Sequence, residues 1–154
     1  MHPLNLPSYN VNVTEKDGKR YIYDPLRRKN VVLTPEEWVR QHFVNYLITS
    51  KSYPPERIAN EVAVYVNGIY KRCDTIVYDN YMEPLLIVEY KAPEIVITEN
   101  IFAQISRYNS ALKVPCLIVS NGLAHYCCRM DYANMKSSFQ KEIPAYTEIK
   151  MKNP

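Results

Sequence analysis

The segment Ile87-Val88-Glu89-Tyr90-Lys91 sets a carboxylate and an ammonium two residues apart at the end of an apolar run. Side chains alternate along a strand, so Glu89 and Lys91 share one face and Tyr90 takes the other. The pair suits a metal site better than a core strand. Glu89 offers a hard oxygen of the kind Mg²⁺ prefers, the Tyr90 backbone carbonyl offers another, and Lys91 can orient or deprotonate a water beside the ion. A second carboxylate lies in Lys71-Arg72-Cys73-Asp74-Thr75-Ile76-Val77-Tyr78, where Asp74 is in line with Ile76 and Tyr78. Pairing of the two strands through the turn at Asp79 to Pro84 would bring Asp74 up to Glu89. Asp, Glu and Lys together are the minimum for metal-assisted phosphodiester hydrolysis.

These residues need a frame. Residues 1–33 read as a hairpin, with Tyr21-Ile22-Tyr23 and Val31-Val32-Leu33 on either side of a basic turn at residues 25–30. Thr34-Pro35-Glu36-Glu37 is a helix start: Thr34 can cap, Pro35 fits the first helical position, and Glu37 can complete a capping box. The helix is expected to run to about Lys51, with Val39, Phe43, Tyr46 and Leu47 on its apolar face. Strands follow at about 58–66, 70–78 and 85–91, the first two joined at Asn67-Gly68. Thr98 caps a second predicted helix from Glu99 to about Leu112, and further strands are expected at 115–119 and 124–129. The tail from Asp131 is poorly patterned. The order predicts an α/β (α+β) fold built on one sheet.

Composition narrows the function. The 154 residues carry 19 Lys+Arg against 16 Asp+Glu, a net charge of +3 that permits a polyanionic partner without demanding one. At this length a single domain buries roughly 70% of the unfolded chain's surface and needs no staple. Three glycines about fifty residues apart speak against phosphate-cradling loops. Four cysteines without a CxxC pair and three scattered histidines give no support for structural zinc. With no apolar segment long enough to span a bilayer and no leader-like start, a cytoplasmic location, reduced thiols and no membrane partner are expected. Fourteen tyrosines against three phenylalanines are unexplained by any of these readings.

The ordered set of Thr34 to Gln41, Arg72 to Ile76, Ile87 to Pro93, the Q-x-x-x-Y motif at Gln104 and Tyr108, and Ser120-Asn121-Gly122 resembles the PD-(D/E)xK nuclease superfamily. Within it, the set is most similar to the N-terminal nuclease domain of type I restriction enzyme R subunits. The resemblance implies a restriction-endonuclease-like central mixed sheet flanked by helices, an active site at the strand ends, and Mg²⁺-dependent endonuclease cleavage of DNA, with Mn²⁺ able to substitute. By motif, Asp74 and Glu89 would be the metal ligands, with the Tyr90 carbonyl, and Lys91 would serve the attacking water. Gln104 and Tyr108, at i, i+4 on one helical face, would position DNA or steady the site. Glu37 would be the carboxylate of the first helix, reaching metal through water, with Glu36 as its competitor. Cys73 stands where the superfamily usually has proline, and no motor motifs are present, so other restriction-modification subunits are expected partners. The chain divides into an N-terminal hairpin (1–33), a nuclease core (34–130) and a C-terminal extension (131–154) of one domain.

Each of these residues has a plainer reading. Glu37 fits a simple cap, Glu89 and Lys91 fit a cross-strand ion pair, and Gln104 and Tyr108 fit half-buried helix positions. Lys71, Arg72 and Arg107 could contact DNA phosphates, or be solvated surface charges. No base-reading signature is present, so sequence-specific readout is not expected. The alternative function is a non-catalytic module for binding nucleic acid or protein that keeps the nuclease fold.

Overall fold

The computed structural model describes residues 1–66 and 68–151, the side chains of 66, 150 and 151 excepted. A three-stranded antiparallel sheet comes first: β1 (Val13–Lys16), β2 (Lys19–Asp24) and β3 (Lys29–Val32). The hairpin expected in this region is β2 and β3. β1, turned at Asp17-Gly18, is additional, and its four exposed residues carry no apolar alternation to announce it. Helix α1 (Pro35–Lys51) begins as the sequence predicts, with the Thr34 hydroxyl accepting from the Glu37 N–H at 3.0 Å. It ends where Ser52 turns left-handed (φ 60°).

The main sheet has six strands in chain order: β4 (Ile58–Val66), β5 (Ile69–Tyr78), β6 (Pro84–Tyr90), β7 (Cys116–Ser120), β8 (His125–Asp131) and β9 (Lys136–Gln140). All neighbours are antiparallel except β6 and β7, which lie parallel because helix α2 (Glu99–Ser110) carries the chain back between them. A mixed α/β sheet with helices is therefore present, as expected. Asn67 of the predicted Asn67-Gly68 turn lies outside the described residues; the strands it separates pair from Ile58↔Val77 to Val66↔Ile69. The tail read as unpatterned forms β9 and the short helix α3 (Tyr146–Met151). Four of the five β9 residues are exposed, so no apolar rhythm marks the strand.

Each sheet face has its own core. Val39, Phe43 and Leu47 of α1 pack on Val77, Leu86, Val88 and Tyr90, with Tyr146 and Ile149 of α3 extending that side. Beneath α2 lie Cys73, Ile76, Ile87, Leu117 and Val119, against Ile101 and Ile105. All four cysteines are free and buried. Among the described residues, no helix is long and apolar enough to cross a membrane.

Candidate active site

Strands β5 and β6 pair with Thr75 opposite Val88 and Ile76 opposite Ile87. One step further along the same register sets Asp74 level with Glu89. There the Asp74 Oδ2 accepts the Tyr90 backbone N–H at 2.9 Å. A cleft of about 500 Å³ opens at this end of the strands, lined by Asp74, Glu89, Tyr90, Lys91, Gln104, Ile105, Tyr108 and Asn109. Five of the six side chains proposed for catalysis thus share one cavity wall: two from the strands, one just after β6, and two from the exposed face of α2.

The backbone is distorted at this level. Opposite Asp74 on β4 stands Glu61, a non-glycine residue in the left-handed region (φ 55°). The β4–β5 ladder pairs Asn60 with Thr75 and Val62 with Cys73 but skips the step between them. The alternation of faces is reversed there: Ala59 and Val62, three apart, both pack on the core beneath α2, as do Cys73 and Ile76. Strain of this kind gathers at functional sites, where surrounding interactions hold it. Here Arg40 Nη2 donates to Glu61 Oε1 at 2.6 Å and Arg72 Nε to Glu61 Oε2 at 2.7 Å. Burial would raise the Glu61 carboxyl, but these two hydrogen bonds and the charges behind them leave it below the ordinary glutamate range.

Glu37 is not in the cleft. It is buried on the α1 side, where its carboxylate pairs with Arg27 and lies 3.3 Å from Arg40 Nε. The cap on its N–H forms, but its side chain is taken by arginines and does not return to the Thr34 backbone. Arg40 stands between it and the cleft, with Nη2 4.0 Å from Asp74 Oδ1. Glu36 is exposed, away from the cleft lining. Of the cations, Arg107 is exposed, and Arg72 is exposed but tied to Glu61. Lys71, expected at the surface, is only 3% exposed: it belongs to the interior, not to a solvated face. Its Nζ lies 3.1 Å from the centre of the Tyr108 ring and has no hydrogen-bond partner.

The electrostatics of the cleft follow from burial. Burial pushes the Glu89 carboxyl up, and the charge and hydrogen bonding of Asp74 push it further; Lys71 and Asn109 oppose this only in part, leaving Glu89 at about 9. Its Oε1 is buried with no partner. Burial lowers Lys71 to about 8, although Glu89, Cys73 and Asp74 all favour its charge. Among the described residues, no three His, Cys, Asp or Glu side chains gather as a metal cluster, and the carboxylates lining the cleft are Asp74 and Glu89.

Supporting residues were not visible as such in the sequence. A buried chain of hydrogen bonds runs from Asp24 to Asn60 (3.1 Å), from Asn60 to Thr75 (2.7 Å), and from Thr75 to the Tyr90 hydroxyl (2.9 Å), and so ties the first sheet to the site strand. The Ser120-Asn121-Gly122 turn braces the other side. The Ser120 carbonyl accepts the Lys91 N–H at 2.9 Å, and Asn121 Nδ2 donates to the Ile95 carbonyl at 2.8 Å. His125 is a packed imidazole against Ser120 Oγ at 2.7 Å, held neutral-leaning by burial. Only polar residue types in otherwise apolar stretches, such as Asn60 and Thr75, hint at such a network beforehand.

Two carboxylates and a lysine thus gather at the strand ends of a mixed sheet. Residues 35–144 match the family described as type I restriction enzyme R protein N terminus (HSDR_N), and the chain belongs to that family. The fold is similar to the solved fragment of a protein described as an HsdR subunit of a type I restriction enzyme from Vibrio vulnificus YJ016, with a TM-score of 0.53 and 17% identity over 77% of this chain. At that identity the likeness concerns the fold alone, and the match spans 25% of the Vibrio chain. No curated protein matches the sequence.

Proposed function

We propose that this domain is a Mg²⁺-dependent DNA endonuclease of the PD-(D/E)xK kind, acting within a type I restriction system. The observation that carries the reading is the meeting of Asp74, Glu89 and Lys91 with Gln104 and Tyr108 in one cleft. The donor set fits a hard divalent ion: adjacent carboxylates repel each other when both are ionised, Glu89 Oε1 is buried without a partner, and Mg²⁺ is content with one or two carboxylates while keeping its own waters. Asp74, Glu89 and the Tyr90 carbonyl would hold it. When bound, Mg²⁺ supplies charge neutralisation at the phosphate and an acidified water.

The chain's own residues do the rest. The Tyr90 N–H fixes the Asp74 carboxylate so that it enters the cleft in one orientation. Lys91, held by the Ser120 carbonyl through its backbone, presents its ammonium to the attacking water and to the phosphate oxygens. Gln104 and Tyr108 line the α2 side, where a DNA backbone would pass, with Arg72 and Arg107 exposed for phosphates. Glu37 acts at a distance, as the counter-ion of Arg40, and not on the ion through water.

The purified domain with Mg²⁺ or Mn²⁺ is expected to nick plasmid DNA. Asp74→Ala, Glu89→Ala and Lys91→Ala are each expected to reduce nicking by at least about a hundredfold, the scale of losing a principal electrostatic or proton-transfer group. Salt-sensitive DNA binding with no cleavage under any divalent ion would replace this reading with the non-catalytic module.

A further inference from the structure

Among the described residues, Lys71 is the one buried lysine, and the proposed reaction does not use it. Its burial is nearly complete, yet its Nζ has no hydrogen-bond acceptor and makes no ion pair among the described residues. Desolvating a charge in this way is costly unless something offsets it. Two things do so here. The Tyr108 ring sits 3.1 Å away with its electron-rich face toward the ammonium, a cation–π contact strengthened by desolvation. The second is the carboxylate pair: Asp74 follows three residues on along β5, level with Glu89, and both favour the charged form of Lys71. The interaction is mutual, since Lys71 is also the cation that opposes the upward push on Glu89. Arg40, the other buried cation near Asp74, is already paired with Glu37 and Glu61 and approaches from the opposite face of the sheet. Lys71 Nζ is thus a buried ammonium without an acceptor, set against Tyr108 of the cleft wall, and Glu89 Oε1 on the same wall is a buried acceptor without a donor.

We infer that Lys71, held in place by the Tyr108 ring, is a resident cation that offsets the negative charge of the Asp74 and Glu89 pair and competes with a divalent ion for it. The inference rests on the proposed metal site and adds a regulator of its affinity. Tyr108 is then a positioning residue that works through the face of its ring, with its hydroxyl dispensable. Lys91 is distinct: it lies just beyond β6 on the cleft wall, while Lys71 sits on β5 beneath Tyr108.

The test is Mn²⁺ affinity, measured calorimetrically on the full chain without DNA, with thermal melting to confirm folding. Lys71→Met is expected to tighten Mn²⁺ binding by about threefold or more, the order expected of removing one nearby screened positive charge. Tyr108→Phe should bind as wild type does, and Tyr108→Leu should shift in the direction of Lys71→Met. Asp74→Ala locates the ion by abolishing binding. If wild type binds Mn²⁺ and Lys71→Met binds it equally or more weakly, the inference fails while the metal site stands. If Tyr108→Phe behaves like Tyr108→Leu, or Tyr108→Leu binds like wild type, the role of the ring fails. If neither wild type nor Lys71→Met binds the ion, both readings fall together; binding by Lys71→Met alone would support the competition.

Discussion

Glu89 shows how a residue's surroundings decide its chemistry. Its folded carboxyl titrates at about 9 because burial and Asp74 both disfavour the anion. In the unfolded chain it titrates near the ordinary glutamate value, so between roughly pH 4.5 and 9 the folded state holds a proton that the unfolded state has lost. Stability from this group is therefore present at low pH and declines as pH rises through that window. Glu89→Gln, which keeps the shape and cannot ionise, is expected to raise the melting temperature in EDTA by a few degrees at pH 8 and by less at pH 5. Equal shifts at the two pH values would contradict the buried, Asp74-coupled carboxyl. The sequence made Asp74, Glu89 and Lys91 legible because carboxylates and lysine in an apolar strand are conspicuous. The burial of Lys71 is not legible in the sequence, because it depends on a helix that crosses above it and nothing local to Lys71-Arg72 records that.

At the scale of elements, what could be read was what has a local signature. Thr34 and Thr98 cap the helices at the expected positions, and the apolar face of α1 is the one its spacing predicts. Strands β1 and β9 had no signature, because one lies wholly and the other mostly in solvent. Glu37 was harder: its type and position fit both a cap and a site, and the deciding partners, Arg27 and Arg40, come from a different turn and from the next turn of its own helix. The β7–β8 turn carries its own prediction. Gly122 has φ 83°, and a Cβ there would lie 2.6 Å from Leu4 Cδ2 and 3.2 Å from Val39 Cγ2. Gly122→Ala is expected to cost about 1–3 kcal/mol in chemical denaturation, by backbone strain and by displacing the Leu4 segment.

For the whole molecule, the two sheets are joined by charge as well as by packing. Asp24 is fully buried and receives hydrogen bonds from Leu26 N, Arg27 and Asn60, while Arg27 reaches on to Glu37. Removing one member leaves buried partners uncompensated. Asp24→Ala is expected to destabilise the domain by about 3 kcal/mol or more. It should also weaken cleavage, because the Asn60, Thr75 and Tyr90 chain begins at this residue. A variant that unfolds as wild type does would mean the N-terminal sheet is merely appended. The tyrosine excess also divides at this scale. Tyr53 and Tyr90 are buried with bonded hydroxyls, whereas Tyr65, Tyr70 and Tyr81 are among the most exposed large hydrophobic side chains of the described residues.

The reversed pleat at Glu61 and Asp74 has a further consequence. An ordinary hairpin can slip by two residues and keep its faces, so its register depends on the turn. Here the left-handed Glu61 must stand across from Asp74, and any slip would set that kink against a residue that has no use for it. The height of Asp74 beside Glu89 is thus locked midway along the strand, independently of the loop. The outer end of the hairpin, beyond the Val64 and Lys71 pair and including the exposed Tyr65 and Tyr70 pair, can therefore lengthen, shorten or accept a grafted segment while the cleft keeps its shape.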